Sequence, residues 1–180
     1  GETKAVWISY LEYQSVLQGK TESQFTKNIE TMFKNLANDG INTVFVHVRS
    51  HSDAMYDSDI FPWSVYCTGT EGNNPGFDPL EIMVSEAHSA GLKIEAWINP
   101  YRVSNVTTNP NDLAAGHIAS KWLSDGSNRA IVSGNGIYFN PSSTDVQRLI
   151  LYVIREILVK YNVDGIHFDD YFYPENISED

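Results

Sequence analysis

The 180-residue chain sets 12 Lys and Arg against 23 Asp and Glu, a formal charge of -11 with histidines neutral. Such a balance argues against nucleic acid and anionic membranes as partners, because both repel a polyanion. The single cysteine, Cys67, rules out an internal disulfide and a cysteine metal cluster, and no segment reaches the roughly 18 consecutive apolar residues of a membrane span.

The elements follow in chain order. "KAVWISYL" opens the chain as a strand-like run. "TESQFTKNIETMFKNLANDG" then has helical periodicity, with Phe25, Ile29, Met32, Phe33 and Leu36 on one face, Thr21 and Gln24 as a capping box and Gly40 as a stop. "NTVFVHVRS" reads as a second strand. The stretch "HSDAMYDSDIFPWSVYCTGTEGNNPGF" that follows is irregular, long and aromatic, and is expected to be ordered and functional. "DPLEIMVSEAHSAG" is a helix capped by Asp78, with Pro79 at its first position and Gly91 at its end. "LKIEAWINP" is a third strand, "NPNDLAAGHIASKWLSDG" a helix with a weak apolar stripe. The last helix carries Val146, Leu149, Ile150, Val153, Ile154, Ile157 and Leu158, and "VDGIHFDD" is the fourth strand.

Alternating strands and helices imply β/α units on a parallel sheet. Two architectures fit: an open parallel sheet, or a (β/α)8 barrel, which needs about 250 residues. In the barrel reading residues 1–180 form one domain that supplies about the first four units, a half barrel. Side chains alternate across a strand, which separates the two architectures. Val44, Val46 and Val48 share one face in the second strand, and Ile94, Ala96 and Ile98 do so in the third. The opposite faces, with Trp7, Phe45, His47, Arg49, Glu95, Trp97, Asn99, His167 and Asp169, are mixed and grow polar toward the strand ends. An open sheet covered by helices on both sides would be apolar on both. A barrel lines its C-terminal rim with polar groups, so the alternation favours the barrel.

By the same alternation Asp169 points into the barrel mouth with His167, while the adjacent Asp170 points away or begins the loop. A carboxylate at that place can be nucleophile, base or anchor; it can equally be a structural partner of Arg49 or Arg102. Asn99 is placed to hydrogen-bond a ligand hydroxyl, and Tyr56, Trp63, Tyr101, Tyr171 and Tyr173 offer flat faces suited to a sugar ring or to loop packing. His47 and His167 read more readily as core histidines than as catalytic ones. No glycine-rich phosphate loop and no metal-ligand spacing is present, so no cofactor and no metal is expected.

The stretches "VRSHSDAMYDSDIFPWS", "GFDPLEIMVSEAHSAGLKIEAWINPYRV", "YFNP" and "VDGIHFDDYFYP" together resemble glycosyl-hydrolase-like family ten, bacterial extracytoplasmic proteins with a (β/α)8 catalytic domain. More distantly, "VDGIHFDD" is similar to the fourth-strand motif of the α-amylase superfamily, in which the residue matching Asp169 is the nucleophile and an arginine stands at the place of His167. The resemblance implies hydrolysis of O-glycosidic bonds, with bacterial cell-wall glycan as a substrate class and an extracytoplasmic location whose leader is absent from this sequence. It implies Asp169 as the catalytic carboxylate, with Asp170 beside it. Arg49, Asp53, Asn99, Tyr101, Arg102, His167 and Tyr171 would line the sugar site, to which the reading of the loop aromatics adds Tyr56 and Trp63. Glycoside hydrolysis uses two carboxylates, about 5 Å apart in retaining enzymes. In related barrels the second comes from a later strand, unless Asp53, Asp170 or Glu95 serves here. A non-catalytic carbohydrate-binding module and a metal-dependent hydrolase or deacetylase are the alternatives. The open edges of a half barrel further predict a homodimer.

Overall fold

The computed structural model describes residues 1–168. Four parallel strands form the central sheet in the order β1 (Ala5–Ile8), β2 (Thr43–Arg49), β3 (Lys93–Ile98) and β7 (Gly165–Phe168). Their register places Trp7, Phe45, Glu95 and Gly165 on one level, and His47, Trp97 and His167 on the next. The long helices are α2 (Glu22–Asn38), α4 (Pro79–Ser89) and α6 (Thr144–Lys160).

The strand alternation sorts as expected on the helix side. Val44, Val46, Val48, Ile94, Ala96 and Ile98 are fully buried, beneath Phe25, Ile29 and Phe33 of α2, Leu80 and Met83 of α4, and Val153 and Ile157 of α6. Each of these side chains larger than Ala96 stabilises the fold by roughly 1.5–3 kcal/mol of apolar burial. The caps also match: Thr21 with Gln24 forms the box on α2, and Asp78 accepts from the Leu80 and Glu81 amides of α4. Gly40 and Gly91, just beyond α2 and α4, take φ values of 84° and 76°, a region that costs other residues strain.

Curvature settles which architecture this is. Trp7 on one edge strand donates its indole N–H to His167 Nε2 on the other edge, at 3.0 Å. In a flat sheet, three strand spacings would hold them roughly 14 Å apart at their backbones. Instead the sheet curls, and Phe45 stacks on His167 with ring centroids 4.2 Å apart inside the curve. The chain therefore builds part of a (β/α) barrel, not an open sheet.

Four features depart from the expected elements. The first strand ends at Ile8, because Ser9 and Glu12 form a capping box that starts the short helix α1 (Tyr10–Val16). The expected third helix is instead a 3-10 turn (Pro110–Asp112) and a short helix α5 (Ile118–Ser124), separated by Gly116 at φ 78°. A second, antiparallel sheet joins β4 (Arg102–Ser104), β6 (Gly136–Phe139) and β5 (Ala130–Ser133). Its hairpin turns on Gly134–Asn135, a two-residue loop of the kind that favours glycine and asparagine.

The fourth departure is a bulge. β2 and β3 lose register between His47 and Arg49: His47 pairs with Trp97, but Arg49 pairs with Ile98. The extra residue breaks the alternation at the strand end, so Arg49 does not share a face with His47. The irregular stretch after β2 is ordered, as expected. It contains the short helix α3 (Val65–Thr68) and a bridge between Ala54 and Trp63. Buried Glu156 of α6 accepts from Ser58 Oγ at 2.6 Å and from the Asp59 amide at 2.7 Å, pinning the loop to that helix.

Candidate active site

The fourth-strand motif divides its labour. Asp164 accepts the Ile94 amide at 2.8 Å and pairs with His88 at 2.9 Å, tying the start of β7 to β3 and α4. Gly165 lies under Glu95; a Cβ there would sit 3.1 Å from the Glu95 carboxyl carbon. These two residues hold the strand in place, and His167 faces the concave side. Asp169, Asp170 and Tyr171 lie outside the described residues.

At the C-terminal end of the curved sheet, rings and a guanidinium gather. His47 lies flat on Trp97, centroids 3.4 Å apart and planes at 19°. Its Nδ1 accepts the Tyr10 amide at 3.2 Å, which leaves the proton on Nε2, a buried donor with no partner. Burial and the nearby Arg102 charge keep this imidazole neutral, its pKa pushed down to about 2. Arg102 donates through Nε and Nη2 to the Ser50 carbonyl, at 2.9 and 2.7 Å, with its guanidinium 5.6 Å from the Tyr10 ring centre. His51 and Tyr66 complete the cluster against Tyr10.

The expected lining residues do not all meet there. Arg102, His167 and the buried Asn99 stand at the strand ends; Asn99 Oδ1 accepts the Tyr101 and Arg102 amides and so shapes the turn that presents Arg102. Tyr101 is half-buried against the core, as is Trp63 in the long loop. Arg49 is completely enclosed: it donates to the Pro100 carbonyl and Ser52 Oγ, with its guanidinium 4.5 Å from the Phe61 ring centre. The bulge redirected it. Tyr56 is likewise enclosed, edge-on to Tyr161. Asp53 is 3% exposed, and burial pushes its carboxyl up to about 7 against the Ser64 hydrogen bond and the Arg49 and Arg102 charges that oppose it.

Sequence reasoning passed over Tyr10, His51 and Tyr66. The Ser9–Glu12 capping box was a legible sign that Tyr10 would stand at the top of β1. Nothing in the sequence placed Tyr66 beside it. Among the described residues no group of three His, Cys, Asp or Glu side chains could hold a metal ion, and no described helix is long and apolar enough to cross a membrane.

A family model described as glycosyl hydrolase-like 10 matches residues 2–180. The chain is 34% identical over 183 residues to glycosyl hydrolase YngK of Bacillus subtilis, covering 98% of this chain and 34% of that protein. It is 42% identical over 143 residues to glycosyl hydrolase DigH of Escherichia coli K12, covering 76% and 32%. It thus spans about a third of the length of these relatives. Among solved structures, α-L-fucosidase isoenzyme 2 from Paenibacillus thiaminolyticus superposes with a TM-score of 0.62 at 16% identity, over 94% of this chain and 23% of that one. The maltogenic α-amylase AmyB from Thermotoga neapolitana does so with 0.57 at 11%, over 96% and 40%. At such identities the likeness speaks for the barrel fold alone.

Proposed function

The chain belongs to glycosyl hydrolase-like family 10, and on that premise we propose that it forms the catalytic-carboxylate side of a glycoside hydrolase that cleaves O-glycosidic bonds. Asp169 is the central carboxylate of this proposal. It lies two residues beyond His167, and His167 is on the concave face with Trp7, Phe45 and Trp97. That concave, ring-lined mouth is the observation that carries the reading. Flat rings cover the apolar faces of a pyranose, while the half-buried Arg102 would meet its hydroxyls.

Asp169 acts as nucleophile or as the charge that stabilises the oxocarbenium-like transition state. The second carboxylate comes from a part of the barrel beyond these four strands. Within them the concave face carries Glu95, one level below His47 and Trp97 and leaning on Gly165. We assign the substrate class to bacterial cell-wall glycan and the site of action to the outside of the cytoplasm. The open edges at β1 and β7 would be covered by a second copy of the chain wherever no further strands cover them.

The test is Asp169→Asn in the intact protein, assayed on purified glycan strands. Hydrolysis should fall by orders of magnitude with folding and sugar affinity kept; more than about a tenth of the rate remaining would remove Asp169 from the centre. Asp170→Asn should be milder. Because Glu95 is the one carboxylate that the described strands place on this face, a second reading is sugar binding without turnover. Tight glycan binding by a wild-type protein that releases no reducing ends would establish it.

A further inference from the structure

Beside the barrel mouth lies a cleft of about 460 Å³ between the loop that follows β2 and the loop that follows β4. Its walls include His51, Asp53, Tyr66, Thr70, Glu71 and Asn105. Two of these, His51 and Tyr66, also belong to the mouth: their rings lie 5.2 and 4.8 Å from that of Tyr10, over which Arg102 sits. The cleft and the mouth therefore share a wall.

The cleft is polar in a particular way. Asp53 is almost entirely buried, and its Oδ1 has no hydrogen-bond partner. A buried acceptor left unpaired is costly, so such an atom asks for an external donor. Glu71 stands near it, its carboxyl raised by burial and held by the Ala114 amide at 2.8 Å. His51 cannot compete as a charge. Both of its nitrogens are engaged, with Ser50 Oγ and Asn105 Oδ1, and burial followed by the Arg102 charge keeps it neutral, its pKa pushed down to about 3. Among the described residues the walls thus offer acceptors and a half-buried tyrosine ring, and no cation.

We propose that this cleft is a second glycan-binding subsite, which takes an uncharged sugar unit next to the one in the barrel mouth and gives Asp53 a hydroxyl or amide donor from that unit. The assignment rests on the glycoside hydrolase reading for the identity of the ligand.

The experiment is chain-length-dependent binding by calorimetry in the intact protein, with N-acetylglucosamine oligomers and malto-oligosaccharides of one to six units as probes. Thr70→Trp fills the cleft from an exposed loop position and should leave the melting temperature unchanged. We expect wild-type affinity to rise with length in at least one series, and Thr70→Trp to remove that rise, about tenfold for the longest oligomer, with the single sugar unaffected. Asp53→Ala should remove it too, and Asp53→Asn, which keeps an acceptor of the same shape, should restore most of it. The proposal is overturned if the long oligomers bind Thr70→Trp as they bind wild type, or if neither series gains affinity with length. Release of reducing ends, followed in parallel, separates the two ideas. Length-dependent binding without hydrolysis sinks the catalytic reading and leaves the cleft standing. Hydrolysis with identical length dependence in Thr70→Trp sinks the cleft alone.

Discussion

Trp7 and His167 sit on the two outer strands of the four-stranded sheet, yet the Trp7 indole N–H donates to His167 Nε2 at 3.0 Å. The bond runs along the inside of the curve, and Phe45 fills the space between by packing on both rings, at 4.9 Å from Trp7 and 4.2 Å from His167. It also sets the His167 ring: with Nε2 accepting, the proton of a neutral ring is on Nδ1. Curvature and ring orientation are thus coupled through one hydrogen bond.

Replacing Trp7 with Phe keeps most of the packing and removes the donor. Stability should fall by about 1 kcal/mol, the net worth of one such hydrogen bond. If His167 positions substrate, Trp7→Phe should also weaken sugar binding several-fold, because its ring is then free to turn. Denaturant unfolding and a binding isotherm on the same sample give both numbers. Unchanged binding would mean that His167 only packs.

Arg49 and Arg102 should behave as opposites. Arg49→Met leaves the Pro100 carbonyl and Ser52 without their partner and should cost about 2–4 kcal/mol, as expected for loss of a buried network member. Arg102→Met removes a half-exposed guanidinium from Ser50 and should cost no more than about 1.5 kcal/mol. It is Arg102→Met that should lower glycan affinity. Melting curves and titrations of the two variants decide it; an Arg49→Met protein that melts normally but fails to bind sugar would restore Arg49 to the sugar site.

Gly165 should tolerate no side chain while Glu95 stands over it. Adding one methyl brings Cβ to 3.1–3.3 Å from three Glu95 atoms, so Gly165→Ala should cost about 1 kcal/mol and Gly165→Val more. Glu95→Ala opens the space. The double variant Gly165→Ala/Glu95→Ala should therefore be more stable than the sum of the single effects, by a coupling of at least about 0.5 kcal/mol. Strict additivity would show that the strand simply shifts to make room.

Stability should fall on acidification from neutral pH. Burial pushes His47, His51 and His117 down to about 2, 3 and 4, whereas unfolded histidine titrates near 6.5. Below about 6.5 the unfolded chain binds protons that the folded chain refuses, and the fold loses stability. Asp53 works the other way. With its folded carboxyl near 7 and an unfolded value near 4, it favours the folded state as pH drops through that range. Three histidines oppose Asp53 and Glu71, whose carboxyl burial also raises, so the net slope around pH 5 should be on the order of 1–3 kcal/mol per pH unit. Urea midpoints at pH 7.5, 6 and 5 should decrease in that order. A midpoint that rises toward pH 5 would mean that Asp53 outweighs the histidines.

Much of this protein was legible from its residues alone. Periodicity and capping chemistry are local, so α2, α4 and α6, the caps of α2 and α4, and the buried faces of β2 and β3 could be read from spacing. The mixed opposite face pointed to a barrel, and the run of motifs pointed to the family. Three things were decided only by tertiary structure. One extra residue in β2 turned Arg49 out of the mouth, because a bulge depends on how the neighbouring strand pairs. The antiparallel sheet forms where β4 meets β6 across more than thirty residues, a pairing that no local pattern encodes. And the cluster of Tyr10, His51, Tyr66 and Arg102 comes from four separate chain segments. Curling of the sheet and docking of the loops bring these together, since side-chain convergence follows from packing in three dimensions and leaves no period in the sequence.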